Sequence, residues 1–441
     1  MSKGDPLVRI LVCAWLGILC AGGSVLCGQT QPAEDLSLPP SAPLVLLAWS
    51  APGGNCLTHE QYKEFAEAGF THGLAVVNDD KEAKAALDLA ETVGVKLMLF
   101  SGAMPLADIA GSVKGHPALG GYFIQDEPST EEYAALSETI RQIRRRDSDP
   151  SRICLVNLFP SCQPGQMGVE TYAEYVYRFA AEVPTEVLSY DCYPIHGHSV
   201  DPMWYKDNLD IAAGAARVAG KPLWVFIASV GAGKTKDPDD GGVFAIPSLG
   251  TLRLQAYTNL AYGAQGIEYW TYQTWDSPKP PFSKGAALDP NGHRTPTYDM
   301  IRQVNRELQA QAPVFVGSKA KSIGYAGESA PPGTRRYAPK APVKSLKVGG
   351  KGAVVSILAK GDRRFLVIVN QDPVAKMPLS VAWEPAAHIG KVNKNGTVEA
   401  VFEPGLEWQV GPGDAAIFTW RQEPQTSKNS ETPSAPGGTN H

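Results

Sequence analysis

GGYFIQDEPSTEEYAALSETIRQIRRR, residues 120–146, sets the pattern for most of the chain. An apolar run, GGYFIQ, ends in two adjacent carboxylates and a proline, and an amphipathic helical pattern starts directly afterwards. A strand covered on one face alternates apolar and polar residues. A run without alternation marks a strand covered on both faces, as in a parallel sheet flanked by helices. Asp126 and Glu127 at the tip of such a strand add nothing to a core. A helix N-cap would account for one acid, and Ser129 and Thr130 already supply that chemistry. Arg144, Arg145 and Arg146 fall late in the helix, where they complement the negative end of its dipole as a solvated face.

The same unit recurs on both sides. LVLLAW (from Leu44), HGLAVV (from His72), VKLMLF (from Val95) and GGYFIQ are followed by RICLVNLF (from Arg152), EVLSYD (from Glu186), PLWVFIAS (from Pro222) and GIEYWTY (from Gly266). Helical patterns such as THEQYKEFAEAGF lie between them. Eight strand-helix units over residues 44–317 have the size of a (β/α)8 TIM barrel. A doubly wound open sheet is the alternative, but the Gly-rich dinucleotide fingerprint is missing after the first strand. From residue 318 to 421, stretches such as AVVSILAK, RFLVIVNQ, LSVAW and AAIFTW are separated by GG, GD, NG and PG turn signals, which predicts a C-terminal antiparallel β-sandwich.

The ends are of another kind. Lys3 and Arg9 precede ILVCAWLGILCAGGSVLCG, the layout of a signal peptide over residues 1–28, so the protein is expected to be secreted or periplasmic. Cys27 as a lipid-anchored first residue is the alternative, although Ser24-Val25-Leu26 is a poor lipoprotein signal. No later segment has the length of a transmembrane span. A Pro-rich linker covers residues 29–43, and a Ser, Pro, Gly and Asn-rich tail, residues 422–441, is expected to be disordered. The 441 residues are 43% hydrophobic and carry a formal net charge of -5, with no basic patch, so nucleic acid is excluded as the expected partner. Cys56, Cys154, Cys162 and Cys192 remain outside the leader without the close CxxC pairs of a zinc site. Free thiols are expected, and Cys162 with Cys192 is the pair to test for a disulfide.

In a barrel of this kind the active site lies at the C-terminal ends of the strands. Trp49 ends the first, Asp126 and Glu127 the fourth, and Asn157 lies on the fifth. The sixth runs into YDCYPIHGH, which offers Asp191, Tyr193, His196 and His198. The eighth carries Glu268, Tyr269, Trp270 and Tyr272, and leads to Trp275. Carboxylates among Trp and Tyr suit sugar chemistry: an acid protonates the leaving oxygen, and aromatic faces take the C–H patches of the ring. A carbohydrate is therefore the expected substrate, and no cofactor is implied.

These features resemble the (β/α)8 glycoside hydrolases of the large retaining clan that includes the family 42 β-galactosidases. Asp126-Glu127-Pro128 is similar to the Asn-Glu-Pro at the end of their fourth strand, which implies that Glu127 is the acid/base. LAYGAQGIEYWTY resembles their approach to strand eight, and the domain ending in GPGDAAIFTW resembles their accessory domains. One departure stands out: the clan places its nucleophilic Glu at the end of strand seven, and here PLWVFIASVGAG has no acid. A second carboxylate must come from elsewhere, Asp191 first, with Glu268 and Asp276 behind it. Alternatively, the Asp-Glu pair resembles substrate-assisted N-acetylhexosaminidases, in which the Asp orients a 2-acetamido group that itself attacks.

Each residue also has a plain structural alternative. Asp126 could be a hydrogen-bond acceptor, Asp191 a partner of a tyrosine, and the strand-eight aromatics barrel core. HGH invites a metal, but no third ligand stands nearby and none is assigned. VGAGKT follows a strand as a phosphate loop would, yet Ala228 stands where its first Gly is required, and KDPDDGG cannot open the helix that would hold phosphates. A non-catalytic carbohydrate-binding barrel is the rival from another class, supported by the acid-free seventh strand.

Overall fold

Apolar runs that cannot alternate must be covered on both faces, and a closed sheet inside a ring of helices does this. The computed structural model describes residues 36–196, 199–235, 244, 246–276, 279, 282–385, 387–402 and 406–422. The expected signal peptide, the first part of the linker (29–35), the tail after Gln422, His198 and the KDPDDGG segment lie outside the described residues. Strands β1 (Val45–Trp49), β2 (His72–Val76), β3 (Lys96–Phe100), β4 (Leu119–Asp126), β5 (Ile153–Leu158), β6 (Leu188–Asp191), β7 (Leu223–Ala228) and β8 (Gly266–Trp270) form a closed barrel in which β8 pairs back onto β1 in parallel. Helices α1 (His59–Glu67), α2 (Asp80–Thr92), α3 (Leu106–Val113), α4 (Tyr133–Arg146), α5 (Tyr172–Glu182), α6 (Pro202–Ala219), α7 (Leu249–Ala261) and α8 (Pro296–Ala310) surround it. Thr58, Asp79, Thr171, Asp201, Ser248 and Thr295 cap six of these helices by accepting a backbone N–H of the first turn.

Period-two alternation sorts every strand into two sides. Leu47, Leu74, Met98, Phe123, Leu155, Val187 and Trp224 fill the interior of the barrel as one cluster. Residues of the other parity, such as Leu46, Leu97, Tyr122, Val156, Tyr190, Val225 and Tyr269, face the helices in a second. In β4 the alternation is interrupted. Phe123 pairs with Leu155, but Gln125 pairs with Val156 and Asp126 with Asn157, so Ile124 is an extra residue. Had the alternation run on unbroken through Ile124, Gln125 would take the inward place and Asp126 would point at the helices. Lower in the same strand, Gly121 sits so close to β5 that a Cβ would lie 2.0 Å from the Ile153 carbonyl oxygen, which excludes any other residue.

The C-terminal region consists of two antiparallel sheets. β9 (Lys319–Ala326), β11 (Ala353–Lys360), β12 (Arg363–Asn370), β17 (Ala415–Arg421), β14 (Ile389–Val392) and β15 (Val398–Val401) make the larger, in that order. β10 (Val343–Val348), β13 (Met377–Trp383) and β16 (Leu406–Val410) make the smaller. Val355, Leu366, Ile368 and Phe418 face the smaller sheet, whereas Val354, Leu358, Phe365, Val367, Val369 and Ile417 join the core of the barrel domain. The larger sheet is thus covered on both faces, by the smaller sheet and by α7. For the same reason α7 is buried almost all round, from Leu252 to Ala261 with Arg253 only partly covered, and its Gly250 lies against the Pro373 carbonyl with no room for a side chain.

Candidate active site

The helix after β4 is capped without either of the two strand-tip acids. Glu132 accepts the backbone N–H of Ser129 at 2.7 Å and its hydroxyl at 3.0 Å, in a short 3-10 turn that leads into α4. Asp126 and Glu127 are thereby free for the barrel mouth. Glu127 has φ 47, and Ser50 just beyond the end of β1 has φ 37; among the described residues these are the two non-glycines in the left-handed region. Such a conformation costs about 1–3 kcal/mol and persists where the surroundings impose it. For Glu127 the constraint is its N–H, which donates to the Asn157 carbonyl at 2.8 Å.

Three carboxylates converge on the inside of the mouth, and a fourth lies beneath them. Asp126 accepts from Asn157 Nδ2 at 3.0 Å. It is open to solvent, yet enough protein surrounds it that desolvation raises its carboxyl above the ordinary value, against the pull of the Asn157 hydrogen bond. Glu127 is half-buried; desolvation, helped by the negative charge of Asp126, pushes it up to about 7. Asp191 is buried and held well above the carboxylate range by desolvation first, then by Glu127 and Asp126; Tyr193 hydrogen-bonds to it and acts in the opposite sense. Its Oδ1 has no partner. Glu268 lies deeper, fully buried, and desolvation raises it to about 8. No lysine, arginine or histidine among the described residues forms an ion pair with any of the four.

Aromatic rings border these acids. Tyr193 stacks on Trp270 with ring centroids 5.2 Å apart, and Trp275 leans on Trp270 at 5.4 Å with 37% of its surface exposed. Trp49 pairs with Trp270 in register and sets its ring edge-on to Phe123 and Phe226. His196 is exposed and packs against Trp204 and Phe244. The loops after β7 and β8 are joined by an antiparallel pair, Gly231–Gly233 with Phe282–Lys284, and Phe244 bridges to Ala232. That link brings Phe244 onto Tyr193 and Trp270.

Asp126, Glu127, Asn157, Asp191, Tyr193, Trp49, Trp270, His196 and Trp275 therefore gather at one end of the barrel. Two expectations need correction. Tyr272 does not line the mouth: it is 1% exposed and packs edge-on to Phe65 and Phe70 on the helix side. Glu268 is on the inward face but one layer down, where no substrate reaches it in this conformation. Asp276, the third choice for a second carboxylate, is exposed on the loop after β8. Ser189 was not singled out by sequence, although it lies two residues before Asp191 and hence on the same inward face. Phe244 gave no signal, being a loop residue. The four described cysteines are free thiols, with Cys162 exposed and unbonded to the buried Cys192. Among the described residues Asp88, Glu91 and His116 have metal-ligand spacing, but they lie at the opposite end of the barrel. There His116 Nδ1 accepts the Ala118 N–H, so Nε2 carries the proton it shares with Asp88 at 3.1 Å.

No protein-family profile matches the sequence, and no curated protein sequence matches it. The fold does have relatives among solved structures, glycoside hydrolases among them. A catalytic mutant of a family 42 β-galactosidase from G. stearothermophilus superposes with a TM-score of 0.57 at 8% identity, covering 86% of this chain and 98% of that one. The β-galactosidase from Bacillus circulans sp. alkalophilus gives 0.55 at 10% identity, covering 86% and 99%. A glycoside hydrolase family 5 structure from Bacteroides vulgatus gives 0.52 at 11%, covering 86% and 89%. The chain spans 60% of the length of the β-galactosidase from the psychrophilic Marinomonas ef1. At such identities the likeness establishes the architecture, a TIM barrel with a C-terminal β-sandwich, and the chemistry must be argued from the site.

Proposed function

We propose that this chain is an exported glycoside hydrolase that cleaves glycosidic bonds in oligo- or polysaccharides, with Glu127 as general acid/base. The observation that carries the proposal is the state of Glu127: a half-buried carboxyl in a left-handed backbone at the strand tip, raised to about 7 by desolvation and by Asp126. An acid that keeps its proton near neutrality can deliver it to a leaving oxygen. Trp270, Trp275 and Tyr193 offer faces for sugar rings, and Trp49 closes the floor. Asp191 is the second carboxylate at the mouth and would act as nucleophile or as base toward water. Export rests on Lys3, Arg9 and the apolar run that follows. Glu127→Gln keeps the shape but has no proton to give, so turnover of an unactivated oligosaccharide should fall at least ~10²-fold with folding intact. Wild-type turnover by that variant removes Glu127 from the mechanism.

A second proposal, substrate assistance by a 2-acetamido group, is favoured by one observation: Asp126, held by Asn157, is the acid open to solvent, whereas burial disfavours the ionised Asp191 that a nucleophile requires. It requires that only 2-acetamido sugars be cleaved and that Asp126→Ala be the damaging change. Trapping of a 2-fluoro glycosyl group on Asp191 would rule it out.

A further inference from the structure

Ser189 stands between two acceptors with one proton to give. Its Oγ lies 2.6 Å from Glu268 Oε2 and 3.4 Å from Asn157 Oδ1. Asn157 uses its Nδ2 on Asp126 at 3.0 Å, and its backbone carbonyl on the Glu127 N–H at 2.8 Å. Two arrangements of protons are open to this chain. If Glu268 is ionised, it accepts the Ser189 hydrogen bond, and Asn157 Oδ1 is left without a donor. The amide is then held only by its own bond to Asp126. A charged Glu268 would also keep Oε1 buried with no partner, a costly position in the barrel interior. If Glu268 is protonated, its O–H donates to Ser189, Ser189 donates to Asn157 Oδ1, and the amide N–H is locked onto Asp126. Every donor in the chain then has an acceptor.

We infer that Glu268 is a positioning residue for the mouth acids: in its protonated form it orients Asp126, and through the shared Asn157 also Glu127, by way of Ser189. The surroundings favour this form. In strand register Glu268 has Leu47 on one side and Phe226 on the other, so no cation faces it there. Burial and the charge of Asp126 both act against its ionisation. The chain runs from the buried layer to the solvent-open acid and links four strands, β8, β6, β5 and β4. A change at its inner end therefore reaches the mouth without any contact between Glu268 and a substrate.

The protonation state can be read without any sugar, while the kinetic consequence rests on the glycoside hydrolase proposal. In a Glu127→Gln background at about pH 7, adding Glu268→Gln should remove one protonated-carboxyl C=O band from the infrared difference spectrum. Loss of an ionised carboxylate band instead overturns the inference, whatever the protein hydrolyses. In the otherwise wild-type enzyme, Ser189→Ala and Glu268→Leu should lower kcat roughly 10-fold or more, with KM little changed, because the acids are misplaced rather than removed. Glu268→Gln, whose amide still donates to Ser189, should recover most of the rate that Glu268→Leu loses. Equal losses in Glu268→Gln and Glu268→Leu, or full rates in both Ser189→Ala and Glu268→Leu, overturn the positioning role. Inactivity of the wild type on every glycoside refutes the hydrolase proposal instead, and the infrared result stands apart from it.

Discussion

Two clusters of acids in this molecule are treated in opposite ways. At the seam between α7, α8 and the sandwich, Arg253 meets Glu307 at 2.5 Å, and Lys394 pairs with Asp414 and with Glu307 at 3.4 Å while its ammonium sits 4.1 Å above the ring of Tyr257. Every acid there has a cation. Although burial acts to raise Glu307, the Arg253 hydrogen bonds and the Lys394 charge outweigh it and hold the carboxyl below its ordinary value. At the barrel mouth Asp126, Glu127, Asp191 and Glu268 have only one another, and all four are raised. The chain thus sets cations against its acids where two domains must hold together, whereas no described lysine, arginine or histidine pairs with the four acids of the mouth. An arrangement that costs stability and strains Glu127 is a mark of function rather than of folding.

The contrast predicts opposite pH dependences. Glu268 is raised from 4.5 to about 8, so the folded state binds its proton more tightly than the unfolded state does. Its contribution is unfavourable above the unfolded value and grows as pH rises toward the folded value, where it levels off. Replacing it by Gln removes that loss. The stability of Glu268→Gln relative to wild type should therefore rise by on the order of 4 kcal/mol between about pH 5 and about pH 8, measured by urea unfolding. A difference that does not change with pH would mean that the buried acid titrates normally.

At the seam the sign reverses. Glu307 is lowered, so its stabilisation is full above the unfolded value of about 4.3 and is lost as pH falls through the folded value. Glu307→Ala leaves Arg253, which is only 13% exposed, with the Asp414 carboxylate 4.0 Å away as its remaining acid, and should cost about 2 kcal/mol near pH 7, shrinking in acid. A cost below about 1 kcal/mol at neutral pH would make the seam an ordinary surface network. The smallest effect belongs to the rim of the mouth. Trp275→Ala removes a half-open platform, and KM should rise by the equivalent of about 1 kcal/mol with kcat unchanged. A loss confined to kcat would place Trp275 among the reacting groups.

Much of the barrel was legible because β1 to β8 are buried on both faces and lack alternation. In the sandwich, AVVSILAK and RFLVIVN also lack clean alternation, for a reason hidden in the sequence: α7 covers the second face of that sheet. The Asp-Glu tip was visible, but the inward direction of Asp126 was not. It depends on one extra residue, Ile124, and a register slip leaves no pattern in a run where both neighbours are apolar. Tyr272 was misassigned because aromatic content outweighed position, since counting in twos from Glu268 and Trp270 sends it to the helix side. Ser189 carries no chemical signal of its own and matters only through what stands on either side of it.

The central question is whether Glu127 must carry a proton for the chemistry. The measurement is kcat/KM against pH for two glycosides of the same sugar, one with an unactivated sugar leaving group and one with an activated aryl leaving group. The unactivated substrate needs Glu127 protonated, so its kcat/KM should fall as pH rises through about 7, whereas the aryl glycoside should hold its rate across that range. If both substrates lose activity together, or if the unactivated one already declines near the ordinary carboxylate value of about 4.5, Glu127 is not the raised acid described here.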